Sequence, residues 1–241
     1  MYTCFMNSRA TELRIASGLF LLLAFLFFAF PEIDLAASDQ FFDDGRWAFS
    51  GGNWPLFEWL YRGIPRLGQG FLGLVGLGLL LGCLRPFRRL RAQRRLLAFI
   101  LTGALLGPIL LVDVTLKDQW GRARPTNTTV FNGTKQFSPA FVLVEECKKN
   151  CSFVSGHVAS ASFIMVFGWL GTSAMRRRWL LASLAAGSLL AVVRMSAGGH
   201  FLSDTIFAWF ATYYGLWLTE IFFRWRGWLP PPPNDKAERS T

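Results

Sequence analysis

LLAFILTGALLGPILLVDVTLKDQWGRARP, residues 96–125, is an apolar run that ends in a crowd of charge. A bilayer core is crossed by about 20 mostly apolar residues wound as a helix, with tolerance for tilt. A helix satisfies its own backbone hydrogen bonds, which lipid cannot do for it. Leu96 to Val112 is therefore read as a membrane helix. Asp113, Lys117, Asp118, Arg122 and Arg124 then stand at one membrane face.

Five further blocks share this character: Ile15 to Phe30, Leu67 to Leu84, Phe153 to Met175, Trp179 to Val193 and Thr205 to Phe223. The fifth span in chain order, Trp179 to Val193, is short and is expected to continue past Arg194 with that side chain turned inward. The first block is read as a retained helix, not a signal peptide, because no small-residue cleavage site directly follows it, although Ala36, Ala37 and Ser38 lie nearby. The chain of 241 residues is 52% hydrophobic, with 24 Phe and 10 Trp, and no Ser/Gly/Pro linker divides it. The expected fold is all-α: a polytopic membrane protein of six transmembrane helices in one domain, residues 1–229. Residues 230–241, with the run Pro230 to Pro233, read as a disordered tail.

The net charge of +10 would suggest a nucleic-acid partner in a soluble protein. Here the cations sort by segment: Arg9 and Arg14 before the first helix, Arg85 to Arg95 in one connection, Arg176 to Arg178 in another, and Arg224, Arg226, Lys236 and Arg239 after the last helix. These segments hold well over half of the 25 Lys and Arg. The positive-inside rule makes them, and both termini, cytoplasmic. The basic balance then reflects topology and attraction to anionic membrane lipids, with no need of nucleic acid. Segments 31–66, 113–152 and 194–204 face outward. The first is acidic (Glu32, Asp34, Asp39, Asp43, Asp44, Glu58). The second is long, Thr/Asn/Gly-rich and carries Cys147 and Cys151, read as a disulfide, with free thiols or an incomplete metal pair as the alternatives. Cys4 and Cys83 have no partner in this topology. Asn127, Asn132 and Asn150 each begin a glycosylation triplet, which leaves a lumenal eukaryotic setting open.

Ionised groups in or beside membrane helices suggest function by default. Asp113, Lys117, Asp118, Arg122, Arg124, His157, Arg194, His200 and Asp204 gather at the outward ends of helices three to six; Glu220 does not, and reads as a polar contact of a tilted helix. Asp204 lies one helical turn from His200, where it can accept the imidazole N–H and fix the tautomer. Lys117, Arg124 and Arg194 are cations suited to phosphate oxygens. Ser155 and Gly156 stand at a helix N-terminus, which favours an anion, and His157 in the same turn can protonate a leaving oxygen. Asp113 and Arg122 read as supporting neighbours. Taken singly these features fit helix caps and interface residues; jointly, at the ends of consecutive helices, they compose a phosphoryl-transfer site that requires no metal or cofactor.

The set Lys117-x6-Arg124-Pro125, Ser155-Gly156-His157 and Arg194-x5-His200-x3-Asp204 resembles the three-part signature of the type 2 phosphatidic acid phosphatase superfamily. The resemblance covers helices three to six, a little under half the chain. It implies a metal-independent six-helix phosphatase acting through a phosphohistidine, with His200 as nucleophile, His157 as general acid and Lys117, Arg124, Ser155, Gly156 and Arg194 as phosphate ligands. Val154 replaces the usual proline before the serine, and Val193 a frequent serine before the arginine. DQWGRARP, the long loop and CKKNCSFVSGH look like bacterial lipid A phosphatases, which act on a phosphorylated lipid at the outer face of the inner membrane, at the 1- or 4'-phosphate. Undecaprenyl diphosphate and phosphatidylglycerophosphate phosphatases, and lipid-to-lipid phosphotransferases, share the signature. Neither the preferred lipid nor the oligomeric state is legible.

Overall fold

The computed structural model describes residues 2–49 and 54–229, with side chains from Arg9 onward. The expected tail at 230–241 and the thiol of Cys4 lie outside the described residues. The chain is mostly helical. Helix α1 (Tyr2–Ala29) leads into a short α2 (Glu32–Asp39). A two-stranded hairpin follows, β1 (Phe42–Asp43) with β2 (Arg46–Trp47). Then come α3 (Pro55–Leu81), α4 (Arg88–Ala92), α5 (Arg94–Gln119), α6 (Gly156–Trp169), α7 (Ser173–Ser196) and α8 (Leu202–Trp225).

Among the described residues five helices are long and apolar enough to cross a membrane: Arg9–Ala29 within α1, α3, α5, α7 and α8. The block expected as one helix over 153–175 is divided. Its helix starts at Gly156 and stops at Trp169, and Met175 belongs to α7, whose N-cap Thr172 accepts the Met175 N–H at 3.3 Å. At 1.5 Å per residue α6 is only roughly 20 Å long, less than the hydrocarbon thickness. It is enclosed by α3, α5, α7 and α8 and need not match the lipid itself. Other helices extend beyond the expected blocks, α1 by starting well before Ile15. Helix α3 begins at Pro55, placing Glu58 and Tyr61 on a helix, and α5 runs on through Lys117. As expected, α7 continues past Arg194 with that side chain buried.

Helix α8 is the most enclosed of the long helices, whereas few residues of α1 and α3 are buried inside the protein. With no hydrophobic force between helices in lipid, close approach of backbones holds them together. Gly107 of α5 faces Gly215 of α8, where a Cβ on Gly215 would fall 2.4 Å from the Gly107 Cα. Leu105–Leu116 of α5 is wound as a π-helix around Pro108, which has no N–H for the regular ladder. Edge-to-face aromatic pairs, Phe20 with Phe207 and Phe210, and Phe141 with Phe153 and Phe207, pin α1 and the long loop to α8.

At the end of the bundle away from His200, Glu220 is the hub of a buried charge cluster. It pairs with Arg9 and Arg224 and accepts the Trp169 indole N–H at 2.8 Å. Arg176 binds Glu12 through both arms at 2.7 Å and lies 3.7 Å from the Trp169 ring. Glu220 is thus more than one polar contact, and Arg176 is a structural cation in addition to a topological one.

Candidate active site

Residues 120–155 are irregular apart from short 3-10 turns, and they fold back along the end of α5. Cys151 N–H donates to the Lys117 carbonyl at 3.1 Å and Ser152 N–H to the Arg122 carbonyl at 2.9 Å. Gly121 has φ +68, and a Cβ there would collide with the Val144 carbonyl at 1.6 Å. Cys147 and Cys151 form a disulfide, and Cys83 is free and exposed. Inside the small loop so closed, Asn150 accepts from Arg124 Nη2 at 2.8 Å and donates its N–H to Asp118 at 3.0 Å. A cis peptide joins Phe153 to Val154.

The turn from α7 into α8 brings the second half of the site. Gly198 has φ +63 and lies so close to the Trp47 indole that a Cβ would meet it at 2.3 Å, so the β-hairpin supports this turn from beneath. Gly199 leaves room for the Arg194 guanidinium, whose Nη2 would be 2.4 Å from a Cβ. His200, buried, follows directly.

The sequence reading has Asp204 accept the imidazole N–H. The structure differs: His200 Nδ1 faces the Ser152 carbonyl oxygen at 2.7 Å, while the Asp204 carboxylate stands 3.8 Å away. An Nδ1–H donated to that carbonyl leaves the lone pair on Nε2. Asp204 is occupied elsewhere. It accepts the Ser152 hydroxyl, the Phe201 N–H at 2.8 Å and Arg122 Nη1 at 2.6 Å. It acts on His200 through Ser152 and through the field of its charge, since position 204 on the first turn of α8 points the carboxylate back at its own helix start.

Arg122 is fully buried and organises this layer. Besides Asp204 it binds Asp34 of α2 at 2.8 Å and the Ser138 carbonyl at 2.9 Å, and the Phe201 ring lies 4.4 Å from its guanidinium. Asp34 also accepts the Ser203 N–H at 2.8 Å and the Ser203 hydroxyl at 2.6 Å. Burial disfavours the Arg122 charge, but the two carboxylates outweigh it and hold the guanidinium above its ordinary value. Burial pulls His200 down to about 4; the nearby Asp204 carboxylate offsets part of this and Arg194 and Arg124 add to it.

All eight sequence-derived candidates converge. His157 lies within electrostatic range of Arg194, His200 and Lys117; Lys117 of Arg124 and Arg194; and Arg124 of Asp204. Ser155 N–H donates to the Asp204 carbonyl at 3.0 Å. Gly156 is needed because a Cβ would fall 2.7 Å from Asp113 Oδ1 and 3.3 Å from Lys117 Nζ. Lys117 has one acid, Asp113, at 3.5 Å, whereas Arg124 spends one bond on a carbonyl. Ser155 Oγ and Arg194 Nε are buried with no hydrogen-bond partner among the described residues. Three cations, one weakly paired carboxylate and unspent donors make a site for a polyvalent oxyanion. Burial lowers the pKa of Arg124, and the Asp204 charge offsets part of this.

Two contributors escaped the sequence reading. Tyr61 of α3 stacks on His157 with ring centroids 4.9 Å apart and an interplanar angle of 23°, and the Arg194 guanidinium lies 4.7 Å from its ring. Asp34 anchors Arg122. A tyrosine near a helix start and one acid among several carry no signature; both matter only because the fold brings distant segments together.

The profile of the PAP2 superfamily matches residues 94–228. Three relatives bear the name Lipid A 4'-phosphatase. That of Francisella tularensis subsp. novicida is 36% identical over 202 residues, 81% of this chain and 88% of its own. Those of Rhizobium leguminosarum and Rhizobium etli are 36% and 33% identical, over 78% of this chain in each case and 85% and 77% of their own lengths. No solved structure matches significantly.

Proposed function

The chain belongs to the PAP2 superfamily, and from that premise we propose that it is an integral membrane phosphatase that removes the 4'-phosphate of lipid A through a phosphohistidine on His200. The observation that carries this reading is the convergence of a neutral, oriented His200 with His157 and three cations around unspent donors. The 4'-position follows the names of the relatives.

In the first step Nε2 of His200 attacks phosphorus, an N–P bond forms and the P–O bond to the sugar breaks. His157 gives its proton to the departing oxygen. Lys117, Arg124 and Arg194, with the Ser155 hydroxyl and the amides at the start of α6, stabilise the charge on the equatorial oxygens. As the imidazole becomes cationic, its Nδ1–H bond to the Ser152 carbonyl strengthens and Asp204 stabilises the charge from 3.8 Å. In the second step water attacks phosphorus, its proton passes to His157, and the N–P bond breaks to release phosphate. Tyr61 positions His157 and Arg194 by stacking.

The proposed topology has six spans, with α6 as the shortest, both termini in the cytoplasm and the site at the periplasmic face of a bacterial inner membrane. The sorting of the arginine-rich segments supports this orientation. The test is to incubate purified enzyme in detergent and excess chelator with bisphosphorylated lipid A and to fragment the product by mass spectrometry. The proposal requires loss of the 4'-phosphate as inorganic phosphate. Loss from the 1-position, phosphate appearing on a second lipid, or a metal requirement would each contradict it.

A further inference from the structure

An apolar groove of about 520 Å³ runs between α3, the π-wound part of α5 and α6. Its wall includes Ile64, Gly68, Pro108, Ala161 and Phe167, and Asp113 is its single charged residue. We propose that this groove seats one acyl chain of the phosphorylated lipid substrate, and so makes lipid chains a determinant of recognition. The proposal rests on the lipid-phosphatase reading above.

Continuity with the phosphate site is the main argument. Asp113 is the partner of Lys117 and closes against Gly156, so the upper end of the groove is the floor of the candidate anion site. Ile64 is one helical turn from Tyr61, which stacks on His157, so the same is true along α3. From His157 to Phe167 the helix advances about 15 Å, half of the ~30 Å hydrocarbon thickness and therefore the depth of one leaflet. Leu67, Ile109 and Phe167, at the edges, are 63%, 40% and 41% exposed, which opens the groove sideways to the bilayer. A lipid held by its phosphate in the cationic site can lay a chain here without leaving its leaflet.

The local sequence keeps the groove empty of protein. Gly68 and Ala161 offer no bulk, and around Pro108 the π-helix replaces the regular ladder along this wall. A Cβ built on Gly68 meets nothing within 4 Å. A second apolar cavity, of about 390 Å³, lies beside α1 and α7, but it contains no charged residue and none of the eight candidates.

Because a Cβ on Gly68 meets open space on the groove wall, Gly68→Trp is the substitution aimed at filling the groove. Gly76→Trp, equally open on the same helix but outside the groove, is the control. The probes are acylated lipid A and the same phosphorylated disaccharide stripped of its acyl chains. In Gly68→Trp the KM for acylated lipid A should rise roughly tenfold with kcat within about threefold, while kcat/KM for the stripped substrate stays at the wild-type value. Gly76→Trp should match wild type on both. An unchanged KM for acylated lipid A in Gly68→Trp, or an equal loss on both substrates, overturns the groove proposal and leaves the phosphatase reading standing. Wild-type protein that hydrolyses neither probe overturns both.

Discussion

His200 is kept in its nucleophilic form by burial. With its pKa pulled down to about 4, the ring stays neutral at every pH above that value, and protonation of Nε2 sets in only below it. The acid limb of the kcat/KM profile that belongs to His200 is therefore expected near pH 4. A solvent-exposed histidine would lose its nucleophile near 6.5, and an acid limb there would contradict the buried, carbonyl-bound geometry. Tyr61 is expected to act on His157 through its ring and on Arg194 through both its ring and its hydroxyl, which accepts a hydrogen bond from the guanidinium. Tyr61→Phe, which keeps the ring and loses only the hydroxyl's bond to Arg194, should lose a few-fold in kcat/KM, while Tyr61→Ala, losing also an aromatic contact worth about 1 kcal/mol and the cation–π contact with Arg194, should lose roughly tenfold or more. Equal losses in the two variants would assign the effect to the hydroxyl. The motif residues were legible because they fall in three short clusters of charge beside apolar blocks. Asp34 and Tyr61 were not, since each is chemically ordinary where it stands in the chain.

Among the elements, the disulfide loop has the most direct tie to the site. It holds Asn150 between Asp118 and Arg124, so Arg124 is aimed by a segment whose backbone is closed covalently. The Cys147→Ser/Cys151→Ser double variant should raise KM a few-fold with a smaller change in kcat, on the order of 1 kcal/mol for one misdirected phosphate ligand, read in steady-state kinetics. An unchanged KM would show that Arg124 is positioned without the loop. The existence of the apolar helices could be read from hydropathy alone. Their limits could not. Polar and aromatic residues at the start of α3 hide its first three turns, while Phe153 to Met175, interrupted only by His157 and small hydroxyl residues, stays apolar enough overall to mask the break at Gly171 and Thr172. The π-winding of α5 left no trace in sequence beyond Pro108, because a wide turn is a response to the helices packed around it.

At the scale of the molecule, the two ends carry opposite electrostatic designs. The Glu220 cluster neutralises Arg9, Arg176 and Arg224 and locks α1, α6, α7 and α8 together. The other end collects cations and leaves them short of acids. The proposed orientation puts this second end outside. In a chain with Cys4 and Cys83 changed to serine, a membrane-impermeant maleimide applied to intact cells should label Thr134→Cys and not Arg88→Cys; the reverse pattern would invert the topology. The central claim, that the gathered cations serve phosphoryl transfer to His200, is tested most directly by trapping. Purified protein mixed with lipid A labelled with 32P at the 4'-phosphate and quenched in denaturant at alkaline pH should carry acid-labile label on the peptide containing His200. The label should accumulate in His157→Ala given an activated phosphate ester and be absent from His200→Ala. Turnover of lipid A by His200→Ala at the wild-type rate, with no labelled peptide in either protein, would contradict the account.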